Sequence, residues 1–152
     1  MKSLSILALI AIFFGCDSTK KIIETETIET IDTGKPERNI MIKAGIGEFT
    51  DSEPVTIKNV RLEGNTLFID ITIIAGCGVH NFKLTGSPAI MKSNPPKRSV
   101  KIIHEVPREE CSDSVNKILE VDISALATSQ TSGSTIYLLL DGWDEEIKYV
   151  FE

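Results

Sequence analysis

The feature that most constrains this chain is the alternation in Thr66-Leu67-Phe68-Ile69-Asp70-Ile71-Thr72-Ile73-Ile74. Leu67, Ile69, Ile71 and Ile73 fall on one side of an extended backbone, and Asp70 and Thr72 fall on the other. A second such run, 55–62, precedes it across Gly64-Asn65, a dipeptide suited to a two-residue hairpin turn. In that first run Val55 and Ile57 have one parity while Val60 and Leu62 have the other, so an irregularity is expected near Lys58-Asn59. A β-bulge is the economical explanation.

Further alternating runs at 80–84, 99–106, 117–123, 135–140 and 147–151 are separated by turn residues, and helical periodicity is nearly absent. This pattern predicts an all-β fold, an antiparallel immunoglobulin-like β-sandwich of about seven strands over 55–152. Gly86-Ser87-Pro88 and Asn94-Pro95-Pro96 bracket a longer connection with an apolar middle, Ala89-Ile90-Met91, and the prolines exclude a central strand there. Ser124 to Leu126 is too short for a helix of consequence, and 128–134 is a polar loop. The loops are where a binding surface is expected.

The N-terminus reads as an address. Lys2 supplies a short basic start, Leu4 to Phe14 is almost entirely apolar, and Gly15-Cys16 follows at once. That run is too short to span a bilayer. It resembles a bacterial lipoprotein signal, which implies removal of residues 1–15 and a lipid on Cys16. The alternative is a soluble secretory signal.

Residues 16–54 then form a tether, rich in Thr, Glu, Lys and isolated Ile, with the acidic quasi-repeat 23–33 favouring extension over packing. Within it, Ile40-Met41-Ile42-Lys43-Ala44 is a possible first or edge strand. The residues directly after Cys16 are not an acid-rich run, which points to a periplasm-facing domain rather than a surface-exposed one.

The chain has 152 residues and a formal charge of −6, without a long basic run. Nucleic-acid binding needs a phosphate-neutralising surface that this composition does not supply. Anionic lipid offers no electrostatic attraction either, so membrane attachment falls to the acyl chains. There is no Gly-x-Ser-x-Gly elbow, no His-Glu-x-x-His motif and no phosphate-binding glycine loop. The expectation is therefore a non-catalytic protein, with an unrecognised envelope hydrolase as the remaining enzymatic alternative.

Two of the three cysteines, Cys77 and Cys111, lie near both histidines, His80 and His104. Setting Cys16 aside leaves an even pair in an oxidising compartment, which favours a Cys77–Cys111 disulfide. Closing such a loop is worth roughly 3 to 4 kcal/mol in the chain-entropy model. His80 shares the parity of Phe82 and Leu84, and His104 that of Val100 and Ile102, so both should point inward. If all four residues converge, two thiolates and two imidazoles form a competent tetrahedral zinc set. With the disulfide formed, the histidines are expected to bond to backbone or to a carboxylate such as Glu105, and no cofactor is required.

The acidic turn around Trp143, with Asp141 and Asp144 beside it, is a candidate contact for an envelope protein or glycan if the indole is exposed. It is a packed hairpin tip if the ring folds back.

Taken together, Gly76-Cys77-Gly78-Val79-His80-Asn81-Phe82-Lys83-Leu84, then Ile103-His104 with Cys111, then Leu119-Glu120-Val121-Asp122-Ile123-Ser124-Ala125-Leu126 form a pattern. It resembles that of small uncharacterised exported bacterial lipoproteins with a β-sandwich domain. The resemblance implies fold and address and no particular reaction.

Overall fold

Alternating burial organises the strands. The computed structural model describes residues 39–74, 79–106 and 113–152 of the unit Gly34–Glu152. Among the described residues there are nine strands: β1 (Ile40–Lys43), β2 (Gly45–Ile46), β3 (Thr56–Glu63), β4 (Thr66–Ile74), β5 (Asn81–Gly86), β6 (Lys97–Glu105), β7 (Ser114–Asp122), β8 (Thr135–Leu140) and β9 (Ile147–Val150). One 3-10 turn, Ser124–Leu126, joins β7 to β8. The strands form two sheets, ordered β1-β7-β4-β3 and β2-β5-β6-β8-β9.

The two sheets enclose one hydrophobic core. From β4, Leu67, Ile69, Ile71 and Ile73 are each at most 2% exposed, as the alternation requires. They pack in the same cluster as Leu119 and Val121 of β7 and the inward residues of the five-stranded sheet. Full burial of each aliphatic side chain is worth about 1.5–3 kcal/mol. The β3–β4 register shifts between Ile57 and Asn59, which is the expected bulge and lets Ile57 and Val60 both reach the core. At the tip of this hairpin Gly64 has φ +53°, the left-handed backbone that a two-residue turn demands.

The sheets contain three parallel pairs beside the expected antiparallel framework: β1 with β7, β2 with β5 and β6 with β8. The first two arise because the segment 40–46 changes sheets. Ile40–Lys43 lies on the edge of the four-stranded sheet, Ala44 is buried and donates its N–H to the Asp122 carbonyl at 2.8 Å, and Gly45–Ile46 continues on the edge of the other sheet. This adds two strands to the about seven expected.

A strap, residues 47–54, then carries the chain from one edge of the five-stranded sheet to the opposite side of β6. Gly47 donates to the Gly86 carbonyl at 3.0 Å, Lys101 Nζ to the Thr50 carbonyl at 3.4 Å, and Glu53 N–H to the His104 carbonyl at 2.9 Å. β8 pairs β6 only along Lys97–Val100, so the strap takes up backbone groups that β8 leaves free. Ile103, aimed away from the core by strand parity, is nevertheless 2% exposed where the strap runs.

β6 also buries a cation. Arg98 is 5% exposed, and burial lowers its pKa. Its guanidinium donates to the carbonyls of Leu126, at 3.2 Å, and Ser87, so its hydrogen bonds tie the 3-10 turn to the loop after β5. Gly86 makes room for this arrangement: a Cβ there would lie 2.7 Å from Leu126 Cδ2 and 2.9 Å from Arg98 Cδ.

Candidate functional site

Antiparallel pairing of β5 with β6 sets Phe82 opposite His104, so their side chains share the inward face. The two rings stack with centroids 4.6 Å apart and planes 4° from parallel. His80, two residues before Phe82, continues the same row, with its ring centroid 5.1 Å from that of His104. Nδ1 of His80 and Nε2 of His104 are 2.9 Å apart. The sequence-predicted inward histidines therefore meet.

Hydrogen bonding at that distance requires one nitrogen to carry a proton and the other a lone pair. Adding a second proton would set two N–H groups head to head. His104 is 1% exposed, and its pKa is lowered from the ordinary 6.5. Burial is the main cause and His80 adds to it, while Glu53 and the Pro54 backbone act the other way. Its Nδ1 is buried and makes no hydrogen bond of standard geometry among the described residues. The His104 backbone anchors the strap, since its N–H donates to Ser52 Oγ at 2.9 Å and its carbonyl accepts from Glu53.

Glu105 does not serve the histidines as expected. Strand alternation turns it away from His104, and it pairs with Lys83 at 2.7 Å. Cys77 and Cys111, like Cys16, lie outside the described residues. Among the described residues no group of three or more His, Cys, Asp or Glu side chains is placed to hold a metal ion.

The β8–β9 turn holds the other sequence-predicted contact. Trp143 is half-buried and packs against the core, and its backbone N–H donates to the Leu140 carbonyl at 3.0 Å. Asp141 and Asp144 are exposed, while Glu146 forms an ion pair with Lys97 of β6. The ring thus folds back, as the second of the two sequence readings has it, and the carboxylates remain in solvent.

Sequence reasoning missed the outer face of the four-stranded sheet. Register sets Met41, Glu120, Phe68 and Arg61 in one row across β1, β7, β4 and β3. The neighbouring row carries Ile118, Asp70 and Asn59. Met41 is 76% exposed, Ile118 38% and Ile74, at the end of β4, 67%. Glu120 thus stands among Met41, Phe68 and Ile118. It accepts a hydrogen bond from Asn39 Nδ2 at 3.3 Å, and Asp70 accepts one from Asn59 at the same distance. Neither carboxylate forms an ion pair among the described residues. A groove of about 390 Å³ runs along this face, lined by Met41, Ile42, Lys43, Thr66, Glu120 and Asp122. The signal available in sequence was the outward parity of each strand, but the rows exist only through pairings between distant segments.

Fold and site together define a small two-sheet β-sandwich with an interior histidine pair and an open acidic–apolar sheet face. No protein-family model and no curated protein matches the chain. Among solved structures it is similar to a NigD-like immunity protein from Bacteroides caccae, with a TM-score of 0.60 and 14% identity over 76% of this chain and 66% of that one. It is also similar to a putative toxin-related protein from Parabacteroides distasonis, with a TM-score of 0.49, 14% identity, and coverage of 74% and 61%. The chain spans about two thirds or less of the length of these structures. At this identity the likeness concerns the fold.

Proposed function

We propose that the protein is a membrane-anchored, non-catalytic lipoprotein of the bacterial envelope whose sandwich binds another protein. The observation that carries this reading is the outer face of the four-stranded sheet, where Met41, Ile118 and Ile74 stand exposed on paired strands. Side chains on strands are held more firmly than those on loops, and preorganisation lowers the cost of binding. The sheet is therefore preferred to the loops that the sequence suggested. On this face a glycan is disfavoured because stacking on a sugar needs a free aromatic face. The face's own ring, Phe68, is covered by the Arg61 guanidinium 4.3 Å from its centroid, and Trp143 is packed on the core.

Anchoring rests on the apolar run ending at Gly15-Cys16. The shared fold with an immunity protein supports a binding role, of which immunity is one form. The test compares wild type with Cys16→Ala in the native bacterium, using alkyne-palmitate labelling and membrane fractionation, and adds Met41→Asp for partner retention. The reading expects label and membrane association only with Cys16, and a co-purifying protein that Met41→Asp releases. An unlabelled wild type, or a partner unaffected by Met41→Asp, contradicts the corresponding half.

A second reading is favoured by the 2.9 Å meeting of His80 Nδ1 with His104 Nε2. A zinc ion held by Cys77, His80, His104 and Cys111 would need these two nitrogens to move apart to about 3.3 Å, as tetrahedral ligands 2.0–2.1 Å from the metal, and the thiolate–imidazole set suits a structural site. Stoichiometric zinc with free thiols supports it. Mass spectra of thiol-blocked protein showing Cys77 joined to Cys111 support the disulfide instead.

A further inference from the structure

We infer that the outer face of β1, β7, β4 and β3 recognises a protein segment in which an arginine or lysine is flanked by apolar side chains, with Glu120 as the carboxylate that receives the cation. This inference rests on the protein-binding reading above and names the partner's chemistry.

The argument begins with charge. Arg61 is already paired with Glu63 on this face. Lys43 acts on Asp122, whose carboxylate is further held by the Ser124 hydroxyl and N–H. Among the described residues Glu120 and Asp70 have only neutral asparagine donors. Such hydrogen bonds leave a carboxylate its full negative charge, and an ionised carboxylate accepts several more. The face therefore presents two uncompensated anions in a chain that is already net acidic.

The surroundings of Glu120 decide which cation-bearing partner fits. Met41 and Phe68 flank it across the sheet, and Ile118 precedes it by two residues on β7. Apolar groups that exclude water around a charged pair lower the local dielectric and strengthen the pair. They also offer contact to the methylene stem of an arginine or lysine and to apolar neighbours on the same segment. The groove beside Met41, Lys43 and Thr66 gives such a segment a course along the strands. An acidic partner would meet Glu120, Asp70 and Asp122 with like charge, a costly juxtaposition.

The test uses the full lipidated chain in nanodiscs, panned against a displayed library of random peptides, with Glu120→Gln and Glu120→Lys panned in parallel. Among the described residues Asn39 is the one hydrogen-bond partner of the Glu120 side chain, so both variants should keep the wild-type unfolding midpoint, which is checked first. The expected result is enrichment of peptides carrying Arg or Lys beside apolar residues. Their affinity should fall about tenfold or more with Glu120→Lys, fall less with Glu120→Gln, and weaken as salt is raised. Enriched peptides that bind wild type and Glu120→Lys equally would overturn this surface while leaving a binding function elsewhere. No enrichment at all would overturn both this inference and the protein-binding reading. Glu120-dependent binding to a glycan array without basic peptide enrichment would overturn the inference in favour of a sugar ligand.

Discussion

Tyr149, 0% exposed in the last strand, donates its hydroxyl to Asn65 Oδ1 in the first hairpin turn at 2.7 Å. The same amide receives the Glu152 N–H at 3.2 Å and donates Nδ2–H to the Glu152 carbonyl at 3.0 Å. Gly64-Asn65 therefore makes the hairpin and also clips the C-terminus to it.

The clip predicts an order of stabilities. Asn65→Ala strands the buried Tyr149 hydroxyl and releases Glu152, and should cost about 1–3 kcal/mol. Tyr149→Phe removes the donor itself and should cost less, about 1 kcal/mol. The double variant should cost less than the two singles together, because the bond is lost only once. Urea unfolding of the three variants checks this, and strict additivity would show the bond to be unimportant.

Among the described glycines Gly86 is the tightest toward buried side chains. Gly86→Ala must displace both Leu126 and Arg98, and overpacking of this kind costs about 1–3 kcal/mol. Thermal unfolding should show a lowered midpoint, whereas Gly133→Ala, which meets no atom within 4 Å but has φ +86°, reports the backbone penalty alone.

Two titrations should shape stability against pH. In the unfolded chain His104 takes up a proton near its ordinary 6.5, while burial delays that uptake in the folded state. Between the two values the unfolded state holds more protons, so stability falls as pH drops below about 6.5 and levels off below the folded pKa. Asp122 acts in a separate window. The Ser124 hydroxyl, then its N–H, hold its carboxyl below the ordinary 3.8, so its contribution is present above that value and is lost as pH falls further. Denaturation midpoints across pH should lose the upper limb in His104→Gln and the lower limb in Asp122→Asn.

What could be read from the chain was set by local parity. β4 spans its expected residues, the bulge falls between Ile57 and Asn59, and His80 and His104 point inward because each shares a strand face with Phe82 or Ile102. The strap could not be read, because a segment with no alternation of its own is positioned by bonds to β6. Arg98 stood in an inward slot but carries a charge, and only the carbonyls of Ser87 and Leu126 make its burial tolerable. The acidic–apolar face was hidden for another reason. Met41, Phe68 and Glu120 are ordinary outward residues singly, and become neighbours through the register of strands far apart in sequence.

The most direct measurement is photo-crosslinking in the native bacterium from benzoylphenylalanine placed singly at Met41, Ile118, Ile90 and Asp144. Binding through the sheet face predicts one common protein adduct from Met41 and Ile118, absent when Glu120→Lys is added, and none from Ile90 or Asp144. Adducts arising only from the two loop positions, unchanged by Glu120→Lys, would contradict the account.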